Sequence, residues 1–157
     1  MIKSANFLFD LDNTILDFFD AETTAFYSTS EIFDLSYSEE NYIAYRQINQ
    51  KWWNMYEKGL CKKDEITTNR FRDYLEYIGK TGDPALIHKT YVSNLSLGRK
   101  MVDGAYEVLE YLKSKGCTIL IVTNGVASTQ YNRLKGQPFL KFIDGIYISD
   151  EIGYPKP

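Results

Sequence analysis

The sequence predicts an α/β fold in which a parallel sheet lies between layers of helix and is interrupted by a long helical insertion. Three observations carry this. Residues 7–9, 117–122 and 146–148 are short apolar runs that stop at polar residues, the pattern of strands buried on both faces. Ala105, Val108, Leu109 and Leu112 form a helical stripe before the second run, the helix-then-strand order of a right-handed parallel unit. Residues 17–96 show helical spacing with no strand between.

A chain of 157 residues can bury one good core, or a modest core with an inserted subdomain. Its net charge of −3 argues against a nucleic-acid partner held on a broad basic face. A small phosphorylated ligand stays open, since one metal and one lysine can reverse the local field. Cys61 and Cys117 form no CxxC pair, which fits a reducing cytosol, so a cytoplasmic location is expected. Cys117, at the head of an apolar run, reads as a buried inert thiol. No opening segment resembles a signal peptide and no run reaches membrane-spanning length, so no membrane partner is expected.

Along the chain, Asn6, Phe7, Leu8 and Phe9 lead into Asp10, Leu11, Asp12, Asn13 and Thr14. Asp10 falls at the carboxyl end of the strand, the edge where open α/β sheets bind ligands. Two acids two residues apart can share a Mg²⁺ site or divide the roles of nucleophile and proton carrier. They would equally serve an acidic turn.

The insertion reads as four helices. The first covers residues 20–32, with Ala21, Thr24, Ala25 and Ile32 on its less polar side. The second starts after Ser38, with acids in its first turn, and carries Ile43, Gln47, Ile48, Trp52 and Met55 at helical intervals up to Lys58 and Gly59. The third runs over 64–78 with Ile66, Phe71, Leu75 and Ile78 buried, closed by Gly79, and the fourth follows Gly82, Asp83 and Pro84. Aromatic residues here, Tyr45, Trp52, Trp53 and Tyr56 among them, are explained by packing between helices. Phe18 and Phe19, close behind the acids, are the rings best placed to stack on a substrate base.

Gly116 ends the next helix, and the second strand finishes at Thr123, Asn124 and Gly125, on the same sheet edge as Asp10 and Asp12. A hydroxyl followed by unhindered backbone can hold phosphoryl oxygens, with the following helix, around 128–134, presenting its amino end. A plain strand-to-helix turn would look the same. After the third strand come Ser149, Asp150 and Glu151, then Lys156 between two prolines that fix its backbone. Such a lysine can neutralise a carboxylate and an incoming phosphate.

Taken together, Asp10-Leu11-Asp12-Asn13-Thr14, Val122-Thr123-Asn124-Gly125 and Tyr154-Pro155-Lys156-Pro157 resemble, in order, the first three signatures of the haloacid dehalogenase (HAD) superfamily. The resemblance implies a Rossmann-like three-layer core, residues 1–16 and 97–157, with residues 17–96 as a mobile helical cap over the first motif. It implies a Mg²⁺-dependent phosphomonoester hydrolase acting through an aspartyl-phosphate. Asp10 would be nucleophile, Asp12 acid and base, and Thr123 and Lys156 catalytic. Mg²⁺ would bind the Asp10 side chain and the Asp12 backbone carbonyl. Thr123, Asn124, Gly125, Phe18 and Phe19 would contact substrate. Family members that cleave carbon–halogen bonds typically lack the second acid, so Asp12 favours phosphoryl transfer.

Tyr45-Arg46-Gln47-Ile48-Asn49 with Trp52, Tyr56-Glu57-Lys58-Gly59, Arg70-Phe71, and Ile148 through Gly153 resemble the branch of bacterial pyrimidine 5′-nucleotidases. That implies a nucleoside monophosphate as substrate, with a sugar phosphate or other small phosphomonoester as the alternative. The family's fourth signature, a strand ending in Gly-Asp with a further acid, is not found before Pro157; Gly82-Asp83-Pro84 reads as a turn and cap. The core is therefore expected to be incomplete at its carboxyl end. This predicts weak Mg²⁺ binding, slow or absent turnover or an inactive phosphate-binding fragment, and an uncovered sheet flank inviting a homodimer.

Overall fold

Three short parallel strands carry the sheet of this computed structural model, which describes residues 5–157. Residues 1–4 of the expected 1–16 core segment lie outside the described residues. The strands are β1 (Asn6–Phe9), β2 (Thr118–Thr123) and β3 (Gly145–Ile148), in that spatial order. Between β1 and β2 come α1 (Phe18–Ile32), α2 (Glu39–Glu57), α3 (Lys63–Ile78), α4 (Pro84–Leu95) and α5 (Ala105–Ser114). After β2 come α6 (Ala127–Leu134), a 3-10 turn (Pro138–Phe142), β3, and a single-turn α7 (Ser149–Ile152). The chain divides into two compact units, one of residues 5–22 with 96–157 and the other Thr23–Leu95.

In the sheet unit, pairing of Phe9 with Ile121 and of Thr123 with Ile148 brings all three strand ends out on one edge. Ile119 and Ile121 are fully buried against Leu109 and Leu112 of α5, Leu134 of α6, and Phe139 and Phe142 of the 3-10 turn. The loop after β1 adds Leu11, Ile15 and Leu16 to this core. Asp144 locks the approach to β3: its carboxylate accepts from the Ile119 N–H at 2.8 Å while its own N–H returns to the Ile119 carbonyl. Cys117 is buried and free, the burial expected of a thiol at the head of an apolar run.

Two readings of burial are corrected. Leu8 in β1 is 70% exposed, so β1 is not covered on both faces: alternate side chains of the strand point to opposite faces, and the one bearing Leu8 is open among the described residues. Val108 is exposed although it shares the α5 stripe with buried Leu109 and Leu112.

The helical unit is built around an aromatic cluster. Tyr45 (α2), fully buried, lies 5.0 Å from the ring centre of Phe26 (α1), 5.5 Å from Phe71 and 5.8 Å from Tyr74 (both α3), and 5.7 Å from Tyr91 (α4). One helix after another thus contributes rings at distances where edge and tilted pairings are favourable. The buried face of α2 is Tyr42, Tyr45 and Asn49, not the face of Ile43, which is exposed. On α1, Ala21 and Ala25 are buried as expected, but Phe26 replaces the exposed Ile32. Helix ends follow their residues: Ser38 accepts from the Asn41 N–H, Gly79 takes a left-handed φ of 67°, and Asp83 accepts from the Ala85 N–H.

Arg70 is buried beside this cluster. It donates to Asn49 Oδ1 at 3.0 Å and reaches His88 Nδ1 at 3.2 Å, with its guanidinium over the rings of Phe71 and Tyr91. Arginine has only donors, so Nδ1 must accept and the His88 proton sits on Nε2. Burial, then the Arg70 charge, lowers the His88 pKa from 6.5 to about 4.

Between those two values the unfolded chain binds a proton that the native chain refuses, so stability rises with pH across the window. The contribution is fully present above pH 6.5 and is lost as pH falls toward 4. With solvent screening discounted it is on the order of 1–2 kcal/mol. The unfolding temperature of wild type should therefore fall relative to that of His88→Asn as pH is lowered from 6.5 to 4; parallel curves would contradict the neutral half-buried histidine.

Candidate active site

The loop that follows β1 is closed on itself before it meets anything else. The Asn13 N–H donates to the Leu16 carbonyl at 2.7 Å and the Leu16 N–H to the Leu11 carbonyl at 3.0 Å. Asn13 adopts a left-handed φ of 57°, which asparagine tolerates, and its Oδ1 accepts from the N–H groups of Phe18 and Phe19 at the start of α1. With Leu11, Ile15 and Leu16 buried as anchors, Asp10 and Asp12 are held by a rigid turn.

The two carboxylates have unlike surroundings. Asp10 Oδ2 lies 2.7 Å from Lys156 Nζ, and its Oδ1 accepts from the Leu11 N–H at 2.8 Å; its side chain is 43% exposed. Asp12 is more enclosed. Its Oδ1 forms an ion pair with Arg133 Nη1 and its Oδ2 accepts from Gln130 Nε2 at 2.9 Å. Each aspartate thus faces one cation.

Thr123, at the end of β2, joins the Asp12 side. Its Oγ1 accepts from Gln130 Nε2 at 3.0 Å and from the Gly125 N–H at 3.2 Å. Asn124 is matched to the backbone of the third motif. Its Oδ1 accepts from the Lys156 N–H at 2.7 Å and its Nδ2 donates to the Lys156 carbonyl at 3.2 Å, so it pins the backbone of the lysine that pairs with Asp10. Lys156 Nζ also lies 3.4 Å from the Val122 carbonyl.

The structure therefore brings together Asp10, Asp12, Thr123 and Lys156, with Asn124 and Gly125 supporting them. Phe18 places its ring 5.6 Å from the Arg133 guanidinium, while Phe19 is 51% exposed. The amino end of α6 is partly spoken for, since the Ala127 N–H donates to Asp150 Oδ2 at 2.9 Å. Gln130 and Arg133 are the residues that sequence reasoning missed. Their signal was there: on α6 they lie three apart, with Arg133 next to buried Leu134, so polar side chains occupy the inward face.

Comparison with known proteins follows the same lines. Residues 7–157 match the family described as haloacid dehalogenase-like hydrolase. The chain is 34% identical over 157 residues to the HAD-hydrolase YfnB of Bacillus subtilis, covering all of this chain and 66% of that protein. It is 26% identical to the pyrimidine 5′-nucleotidase PynA of Streptococcus pneumoniae over 96% of this chain and 63% of that protein. It is 24% identical to the pyrimidine 5′-nucleotidase YjjG of Escherichia coli over 89% of this chain and 64% of that one. A crystal structure of YfnB bound to magnesium superposes with a TM-score of 0.93, covering 99% of this chain and 70% of YfnB. The chain thus spans a little under two thirds of the length of the curated relatives it matches.

Gly125 tests how tightly the network is packed. A Cβ there would lie 2.2 Å from Gln130 Nε2 and 2.5 Å from its Cδ, and Gln130 is buried. Gly125→Ala should destabilise the chain by about 1–3 kcal/mol in urea unfolding, as overpacking does, and adding Gln130→Ala should recover much of the loss. Additive effects in the double variant would contradict the contact.

Proposed function

The chain belongs to the haloacid dehalogenase-like hydrolase family, and on that premise we propose that its activity is hydrolysis of phosphomonoesters through an aspartyl-phosphate on Asp10. The observation that carries the reading is the pair of unlike carboxylates. Asp10 is part exposed beside Lys156, as a nucleophile meeting an anionic phosphate needs; Asp12 is fixed by Arg133 and Gln130, as a proton carrier needs. A halide leaves as a stable anion and requires no proton, whereas an alkoxide does, so a second held acid favours phosphate esters over haloacids.

In the first step, with Asp12 entering as the neutral acid, an Asp10 oxygen forms a bond to phosphorus as the bond to the ester oxygen breaks, and that oxygen takes its electron pair and the Asp12 proton. In the second, Asp12 accepts a proton from water as the water oxygen bonds to phosphorus. The Asp10–phosphorus bond then breaks, releasing inorganic phosphate. Lys156 and Thr123 would hold phosphoryl oxygens through both steps.

Among the described residues no three His, Cys, Asp or Glu side chains gather as a metal cage. The donors present are the Asp10 carboxylate and the main-chain carbonyl of Asp12, which accepts no hydrogen bond among the described residues. That sparse oxygen set fits Mg²⁺, which takes one or two carboxylates and completes its shell from water and phosphate. A phosphate dianion brings charge that a divalent ion would balance. Bound there, Mg²⁺ would supply charge stabilisation of the phosphoryl oxygens.

A nucleoside monophosphate is the proposed substrate, supported by the likeness to PynA and YjjG, with Phe18 and Phe19 proposed as the rings that contact its base. The helical unit Thr23–Leu95 is proposed as a cap, and a sugar phosphate is the alternative substrate.

Phosphate release from a panel of nucleoside monophosphates and sugar phosphates, by the protein as encoded in full, tests this. Asp10→Asn should abolish turnover, and Asp12→Asn should lower it by about 10²–10⁴-fold. Wild-type rates in Asp10→Asn, or halide release from 2-haloacids in place of phosphate release, would contradict the proposal.

A further inference from the structure

Arg133 and Gln130 form a fixed bracket behind Asp12 that the nucleophile-and-lysine pair does not require. Arg133 is 0% exposed, and each of its bonded nitrogens is a donor. Nε donates to the Gly98 carbonyl at 2.9 Å; Nη1 serves both Asp12 Oδ1 and, at 3.1 Å, Gln130 Oε1. The Arg133 contact dictates the orientation of the Gln130 amide: oxygen toward Arg133, nitrogen toward Asp12 and Thr123. Both hydrogens of Nε2 are then committed, one to Asp12 Oδ2 and one to Thr123 Oγ1.

Two consequences follow. The plane of the Asp12 carboxylate is set from both oxygens, each keeping a second lone pair for a proton on the substrate side. Thr123 Oγ1, already accepting from Gln130 and from Gly125, has only its own hydrogen left to offer, so the hydroxyl is a donor toward an anion.

We propose that Gln130 and Arg133 are positioning residues that orient Asp12 for proton transfer to the departing alkoxide. The proposal rests on the aspartyl-phosphate reading above. A merely structural pair would tie α6 to the loop after β1 and lower activity only in proportion to folded protein. A positioning pair makes the loss depend on how much the leaving group needs a proton.

The test compares wild type, Gln130→Met and Arg133→Lys, in the protein as encoded in full with Mg²⁺, on two substrates. A nucleoside 5′-monophosphate has an alkoxide leaving group that needs protonation; p-nitrophenyl phosphate has one that does not. The quantity is kcat/KM, which covers steps up to the irreversible departure of the leaving group. The ratio of the two values within one sample is independent of the fraction folded, so a variant that folds poorly still gives an answer. Each variant is expected to lose about 10²-fold on the nucleotide and less than about 5-fold on the aryl ester. Equal losses on both substrates, or none, overturn the positioning role while leaving the aspartyl-phosphate reading intact. If Asp10→Asn retains full activity on both substrates, the aspartyl-phosphate reading fails and the positioning role falls with it.

Discussion

A buried guanidinium is the constraint on which the site depends. A guanidinium has only donors to offer, and a charge withdrawn from water is costly unless acceptors meet it. The acceptors come from segments far apart in the chain: Asp12 after β1, the Gly98 carbonyl before α5, and Gln130 one turn earlier on α6, with the face of Phe18 at the start of α1 above the guanidinium. Removing one partner of such a pair typically costs about 3–5 kcal/mol, because the other charge is left without compensation. The ion pair thus holds the turn bearing both carboxylates against the helix that follows β2.

Parallel pairing of β1 with β2 makes that ion pair reachable. Once Phe9 stands opposite Ile121, the residues leaving both strands share an edge, and Asp10, Thr123 and the returning Lys156 meet there. The difference between the two aspartates then follows from position. Asp10, next to the strand, faces a partly exposed lysine. Asp12, two residues on, is turned inward to Arg133 and Gln130, where it is held still.

How much of this the sequence disclosed depended on the range of the interactions. Strands, helix ends and the Asp10, Thr123 and Lys156 motifs were legible because apolar runs, Ser38, Gly79 and Asp83 act within a few residues of themselves. The inward face of α2 was not, because Tyr42 and Tyr45 bury rings that periodicity counts as half polar, and they are chosen by partners on α1, α3 and α4. Gln130 and Arg133 were missed for the same reason in stronger form: their contacts with Asp12 span 118 and 121 positions. Asn124 reads from the sequence only as part of the turn after β2; that its amide is matched to the Lys156 backbone, 32 positions away, was not legible.

The central claim is that phosphorus becomes covalently attached to Asp10. Rapid quenching of the full protein with a nucleoside monophosphate, followed by borohydride reduction and peptide sequencing, reads this directly, because reduction converts an aspartyl-phosphate to homoserine. The account predicts homoserine at position 10 and unmodified aspartate at position 12. Homoserine at position 12, or at neither position while phosphate is being released, would contradict it.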